Sequence, residues 1–145
     1  MKLRDAGAAD APVLARVLGD WIRATAWMPK LHTKAQDLIF VRQLIATRVV
    51  RMEASGAGFL ARQDGELDAL YLAPHARGKG LGKALLDEAK AAEGMLTLWA
   101  FQANDGARRF YAREGFVEAF MTNGDGNVEG LKDVRLVWER ASDEL

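Results

Sequence analysis

Residues 70–86 leave this chain little choice of local fold: Leu70-Tyr71-Leu72-Ala73-Pro74-His75-Ala76-Arg77-Gly78-Lys79-Gly80-Leu81-Gly82-Lys83-Ala84-Leu85-Leu86. The apolar run from Leu67 to Leu72 reads as a strand that ends before Pro74. Leu81, Ala84, Leu85 and Ala89 then recur at helical spacing. A strand, a glycine-rich loop and a helix N-terminus in that order build a pocket for a phosphate. Glycine lets the backbone approach an anion closely. The first helical N–H groups lack intrahelical partners and carry the positive end of the helix dipole. Arg77, Lys79 and Lys83 add positive charge in the same place. Two familiar phosphate loops fail on spacing. A Walker A loop needs Gly at the position of Arg77 and Ser or Thr at that of Ala84. A dinucleotide fingerprint spaces its glycines differently and opens the first βα unit.

The spacing instead resembles the acyl-CoA pyrophosphate loop of the GNAT superfamily of N-acetyltransferases, Arg/Gln-x-x-Gly-x-Gly/Ala, with Arg77, Gly80 and Gly82 at the defining positions. A second block, Asn104 to Phe116, is similar to that family's Asn-x-x-Ala-x-x-x-Tyr-x-x-x-Gly-Phe signature through Asn104, Ala107, Tyr111, Gly115 and Phe116. The two blocks stand in the family's order and separation.

Length and composition bound the class. A length of 145 residues suits one domain spanning 1–145 with a real core, and half the residues are hydrophobic. Twenty basic and twenty acidic residues cancel, which argues against a nucleic-acid partner. The absence of cysteine excludes disulfides, thiolate metal sites and a cysteine nucleophile, and no metal is expected. Met1 to Asp5 lacks an apolar signal core, and no apolar run approaches membrane-spanning length, so the expectation is a cytoplasmic protein with no membrane partner.

Periodicity supplies the elements. Met1 to Asp5 reads as a short strand. Asp10 is placed as an N-cap, with Pro12 in the first turn of a helix carrying Val13, Leu14, Val17, Leu18, Trp21 and Ile22. After a break at Trp27-Met28-Pro29, Thr33 caps a second helix with Leu38, Ile39, Val41, Leu44 and Ile45. Three antiparallel strands follow, Arg48 to Glu53, Gly58 to Arg62 and Glu66 to Leu72, with Asp64-Gly65 as a hairpin turn. A third helix runs from Leu81 to Ala92 and stops near Gly94. A strand covers Met95 to Phe101, and Asn104 caps a last helix ending at Gly115. Phe116 to Met121 and Val134 to Trp138 close the pattern around a turn-rich loop at 123–127. The order β-α-α-β-β-β-α-β-α-β-β is that of the GNAT fold, an α/β (α+β) class with a mixed, mostly antiparallel sheet and helices on both faces.

The resemblance implies a site. Acetyl-CoA would be the co-substrate. Backbone groups of Leu70, Tyr71 and Leu72 would meet its pantetheine arm, and the amides of Arg77, Gly78, Lys79, Gly80, Leu81, Gly82 and Lys83 its pyrophosphate. Asn104, Ala107 and Phe110 would complete the cofactor contacts. Tyr111 matches the family's general acid, which protonates the departing thiolate; a phenol of ordinary pKa about 10 is suited to that. Glu66, near the position of a catalytic glutamate in some members, and Asp68, two residues on, are candidate bases; His32 is a third, by its near-neutral pKa. Each of these acids also reads as a solvated strand residue. Family acceptor sites use the first two helices, their junction and a late loop, here Trp21, Trp27, Met28, Pro29, Leu31, His32 and Thr33, with Trp99 on the strand beside the cofactor gap. Trp27-Met28-Pro29-x-Leu-His-Thr resembles a bacterial branch of the superfamily that also carries Thr-Asp-Gly-x-x-Asn-Glu-Glu. Here Thr122-Asn123-Gly124-Asp125-Gly126-Asn127-Val128-Glu129 keeps the final acid and loses two others.

An acetyl-CoA-dependent N-acetyltransferase acting by direct attack of a small-molecule or protein amine is therefore expected, since no cysteine can carry the acyl group. A non-catalytic acyl-CoA-binding or sensing module on the same fold is the alternative. A nucleotide-binding regulatory domain is a third reading, opposed by the missing Ser or Thr after Lys83. Pairing of late strands between subunits, common in the family, admits a homodimer.

Overall fold

The computed structural model describes residues 1–141. Seven strands form one sheet in the order β1-β2-β3-β4-β5-β7-β6. They are β1 (Leu3–Asp5), β2 (Val49–Glu53), β3 (Gly58–Gln63), β4 (Glu66–Leu72), β5 (Met95–Phe101), β6 (Val117–Thr122) and β7 (Asp133–Glu139), and the helices are α1 (Ala11–Ala24), α2 (Lys34–Thr47), α3 (Leu81–Ala92) and α4 (Asp105–Arg113). Every strand pairing is antiparallel except β4 with β5. The element order is the one read from the sequence, with boundaries moved by a residue or two. None of these helices is long and apolar enough to cross a membrane.

Two apolar clusters sandwich the sheet. Leu14, Val17 and Leu18 of α1 and Val41 and Leu44 of α2 pack with Val50, Met52, Phe59 and Ala69. Leu81, Leu85, Leu86 and Ala89 of α3 and Tyr111 of α4 pack with Leu60, Leu67, Leu96, Leu98, Val134 and Leu136. Residues 67 and 69 are two apart on one strand, so simple alternation would put them on the same face. They belong to opposite clusters because β4 carries a bulge. Ala69 lies opposite Ala61 and Leu67 opposite Arg62, which leaves Asp68 as the extra, unpaired residue.

Local chemistry sets the ends. Thr33 Oγ1 accepts from Gln36 N at 3.2 Å and Gln36 Oε1 accepts from Thr33 N at 2.8 Å, a reciprocal capping box opening α2. The chain between α1 and α2 is held by Lys30, whose Nζ donates to the carbonyls of Ile22, Thr25 and Met28 at 2.6, 2.7 and 2.7 Å. A cation there also complements the dipole at the end of α1. Gly65 lets the β3–β4 turn come close to β5, because a Cβ on it would lie 2.6 Å from the Met95 carbonyl oxygen. The positive φ of that turn falls on Asp64 (52°). α3 stops just before Gly94, in extended backbone at Glu93.

Asp10 differs from its expected role. It closes a 3-10 turn (Ala8–Asp10) and makes no side-chain bond to α1. Its carboxylate accepts from both Arg4 guanidinium nitrogens at 2.8 Å and from Gly7 N at 2.8 Å, fastening β1 to the entry of α1. The Arg4 hydrogen bonds, then that from Gly7, pull its pKa down to about 2. A depressed carboxylate stabilises the fold above its unfolded pKa of about 3.9 and loses that contribution as pH falls towards 2. Asp10→Asn is accordingly expected to lower unfolding free energy by about 1 kcal/mol at pH 7, a figure kept small because Arg4 is well exposed. Urea titrations from pH 7 down to pH 2.5 should show that gap to the unsubstituted protein closing; a gap constant with pH would contradict the assignment.

Candidate active site

β4 and β5 run parallel but share one rung, Glu66 opposite Thr97, beside a 2.8 Å hydrogen bond from Thr97 N to Gly65 O. Both strands continue for several residues beyond it, and no other rung joins them among the described residues. Their divergence opens a cleft of about 480 Å³, walled by Leu70, Leu72, Ala100, Phe101, Asn104 and Tyr111.

Glu66 sits at the closed end of this cleft and does not line it. Its Oε1 accepts from Thr97 Oγ1 at 2.8 Å and from Arg135 Nη2 at 2.6 Å, and its Oε2 from Arg135 Nη1 at 2.9 Å. With both oxygens occupied, Glu66 ties β4, β5 and β7 together rather than facing a substrate. Asp68 does border the cleft, and its Oδ2 accepts from Arg48 Nε at 2.7 Å. The two carboxylates share no partner, so the structure does not gather them into one acid–base pair.

At the open end lies the glycine loop. Gly78 and Gly80 have φ of 72° and 85°, a region that L side chains rarely adopt. A Cβ on either would meet nothing within 4 Å, so these glycines serve conformation, not room. Gly80 begins α3 with no side-chain cap. Among the described residues no turn or side-chain hydrogen bond uses the N–H of Gly78, Lys79, Gly80, Leu81, Gly82 or Lys83. Arg77 and Gly78 border the cleft, as does Gly82, whose neighbours are Phe110 and Leu72. Such a row of free amides beside a guanidinium fits a pyrophosphate. Lys83 contributes less than its sequence position suggests, because its ammonium is shared between Asp87 at 3.5 Å and Glu114 at 3.2 Å.

α4 supplies the remaining wall. Asn104 Oδ1 accepts from Ala107 N at 3.1 Å, so it caps the helix while also lining the cleft with Ala107 and Phe110. Tyr111 is 7 % exposed and edge-on to Phe110 and Phe116, and it lines the cleft with no hydrogen-bond partner among the described residues. Burial, aided by Tyr71, pushes its phenol well above its ordinary pKa.

A second cavity of about 440 Å³ lies between α1, α2 and the β6–β7 loop, and Met28 and His32 are among its lining residues. Tyr71 borders both cavities, stacked against Trp21 at 5.3 Å and Phe59 at 6.0 Å. Burial and the charge of Glu129 push its pKa up to about 12. Trp27 lines neither; its ring packs edge-on between Trp21 and Phe101. Trp99 borders the cleft and stacks under Arg135 at 5.0 Å. Ile39, one of the apolar residues read along the second helix, is exposed beside Phe40 on the rim of the second cavity. Sequence reasoning passed over Asp37, which is buried and lines this cavity. The signal was present: Asp37, Val41 and Leu44 fall at helical spacing on one buried face, headed by a carboxylate.

A glycine loop thus stands at the mouth of a cleft between two diverging parallel strands. A sequence model of the acetyltransferase (GNAT) domain matches residues 37–118, and the chain belongs to the GNAT acetyltransferase family, whose acyl donor is acetyl-CoA. Solved structures agree on the fold. YjaB from Escherichia coli, in its apo form, superposes with a TM-score of 0.79 at 20% identity, covering 97% of this chain and 98% of that one. A ribosomal-protein-alanine N-acetyltransferase from Brucella melitensis gives 0.73 at 20%, covering 96% and 99%. YncA of Salmonella typhimurium, a putative acetyltransferase with its cofactor acetyl-CoA, gives 0.72 at 20%, covering 98% and 95%. No curated protein sequence matches the chain.

Gly80→Ala tests the cradle. The left-handed backbone should cost about 1 kcal/mol of stability, since a Cβ is penalised there by 1–2 kcal/mol. Where the loop relaxes to avoid that strain, affinity for coenzyme A should fall by about tenfold, the loss of one charge-assisted hydrogen bond. Calorimetric titration with coenzyme A, paired with a urea melt, reads both; unchanged affinity with unchanged stability would refute the role given to the loop.

Proposed function

We propose that this chain, acting as a single domain, transfers the acetyl group of acetyl-CoA directly to a primary amine bound beside it. The observation that carries this reading is the joining of two cavities at Tyr71, one with a phosphate cradle at its mouth and one walled by the helix junction. Acetyl-CoA supplies a thioester-activated acetyl group. The amides of residues 78–83 and Arg77 hold its pyrophosphate, and Leu70, Leu72, Ala107 and Phe110 flank its arm. Holding both reactants turns a bimolecular encounter into a local one.

The incoming amine must be neutral. Its nitrogen forms the new C–N bond as the C–S bond breaks; the proton the nitrogen loses balances the one the thiolate takes up, so the neutral amine gives an amide and a thiol, and one proton is released beforehand when the amine arrives as an ammonium. Glu66 is clasped and Asp68 is paired with Arg48, so the amine proton leaves through water, with Asp68 the nearer carboxylate of the two. Tyr111, raised by burial, stays protonated throughout the working pH range. Complete surrender of its proton to a thiolate of ordinary pKa about 8.5 is uphill. Its contribution is therefore the O–H hydrogen bond it donates to sulfur as negative charge develops there, with the thiol proton arriving from solvent. The exposed apolar residues Val117, Phe120 and Met121 on the edge strand β6 support the accompanying reading of a homodimer paired through that edge.

A hydrogen bond to a charged atom is worth about 1.5–3 kcal/mol, so Tyr111→Phe should lower kcat by about ten- to a hundredfold with KM for acetyl-CoA little changed. Release of free coenzyme A across a panel of amines measures this. No alkaline fall in kcat assignable to Tyr111 should appear below pH 10, because its pKa is displaced upward. Tight coenzyme A binding without turnover on any amine would replace this reading with a sensing module.

A further inference from the structure

The cavity between the helices has the chemistry of a cation site, and this inference rests on the acetyl-transfer reading above. Its walls are largely apolar: Leu18, Ile22, Pro29, Leu31, Ile39 and Phe40 among others. Leu31, Ile39, Phe40 and Val128 remain exposed around it. Two carboxylates, Asp37 and Glu129, interrupt that surface, and no Lys or Arg lines it; His32 is its one basic residue. The adjoining hollow under the β6–β7 loop repeats the pattern, with Asp125, Glu129 and Asp133 and no basic side chain. The basic side chain facing these hollows and the cleft, other than His32, is Arg77 at the cofactor end.

Asp37 is the informative member. Its side chain is 6% exposed, and its carboxylate accepts no hydrogen bond among the described residues. On its other side Asp37 borders a hollow that also holds Arg16, Arg23 and Lys34; of these Arg23 pairs with it, Nη1 at 3.8 Å, while Arg23 Nη2 donates to Asp20 at 3.1 Å. His32 is the other positive influence, and burial still outweighs both, holding the Asp37 pKa above its ordinary value. A buried carboxylate without adequate positive charge is costly to keep. A cationic ligand in the cavity would add to the partial pairing that Arg23 gives.

We infer that the acceptor is an apolar-bodied dication: one amine enters the cleft past Tyr71 and is acetylated, while a second basic nitrogen is held in the inter-helix cavity by Asp37 and Glu129. The reacting amine must shed its proton, so the carboxylates serve the nitrogen that stays charged. Diaminoalkanes and compounds with a basic group at each end of an apolar stem fit this description; amino acids, whose carboxylate would face Asp37 and Glu129, do not.

The test is coenzyme A release from acetyl-CoA with straight-chain α,ω-diaminoalkanes of graded length, each beside its ω-hydroxyalkylamine and ω-amino acid counterpart. The best diamine should exceed its hydroxyl counterpart in kcat/KM by at least about tenfold, and the ω-amino acid should be poorest, since the lost pairing leaves a buried charge unmatched. Asp37→Asn and Glu129→Gln should each collapse the diamine-to-hydroxyl ratio towards one, mainly through KM. Asp37→Asn should also melt no lower than the unsubstituted protein, because it removes a buried charge that is only weakly paired; Glu129→Gln, on a surface loop, carries the test should Asp37→Asn fail to fold. Turnover with a ratio near one, or a ratio that survives both substitutions, overturns this inference and leaves the acetyl-transfer reading standing. Calorimetric binding of the diamine to the coenzyme A complex that depends on Asp37, without turnover, upholds the ligand class and removes acetyl transfer. Neither turnover nor binding overturns both.

Discussion

Everything functional here depends on two parallel strands that are joined at one end only. A ladder along the whole of β4 and β5 would satisfy their backbone groups against each other and leave no cleft. The single rung at Glu66 and Thr97 is locked by a clasp in which Glu66 binds Thr97 and, bidentately, Arg135 of β7. The bulge at Asp68 follows at once and shifts the pleat of β4. Beyond it the strands part, and the backbone groups freed there face a cavity that an acyl-CoA arm can fill. A carboxylate that sequence placed among the catalytic bases thus does structural work, by geometry that only the three-strand neighbourhood supplies.

Charge is segregated along the resulting channel. Free amides and Arg77 stand at the cofactor end, while Asp37 and Glu129 stand at the far end. Between them lie Tyr71 and Tyr111, both held protonated by burial. The arrangement suits a reaction whose donor is anionic and whose acceptor arrives as a cation, with neutral hydrogen-bond donors in the middle. It also has a stability consequence. Asp37 remains desolvated and weakly paired inside the protein, and such groups persist where function requires them more than the fold does.

The parts of this protein legible in its sequence are those fixed by local rules. The Thr33 capping box, the glycine loop, the Asn104 cap and every element in order follow from periodicity and turn chemistry, which act over a few residues. The resemblance to the GNAT pattern rests on two short blocks of that kind. What was misread involves partners distant in sequence. Asp10 was given to the helix after it but belongs to Arg4 before it. Glu66 is a candidate base by resemblance alone, and its partner Arg135, 69 positions away, shows only in the fold. Ile39 lies among the apolar residues of α2, a helix apolar on more than one side, and sequence does not say which side meets a cavity.

The sequence by itself determined the fold family, the glycine loop and the tyrosine of the helix that follows, because each is written in contiguous residues whose backbone preferences are strong. Only the tertiary structure decided which carboxylates are available to chemistry. Glu66, Asp68, Asp37 and Glu129 are equivalent as letters. Their roles diverge because one is clasped, one is paired with Arg48 and two are left to face a cavity. Ion pairing and desolvation depend on distance in space, which the chain fixes only once it has folded.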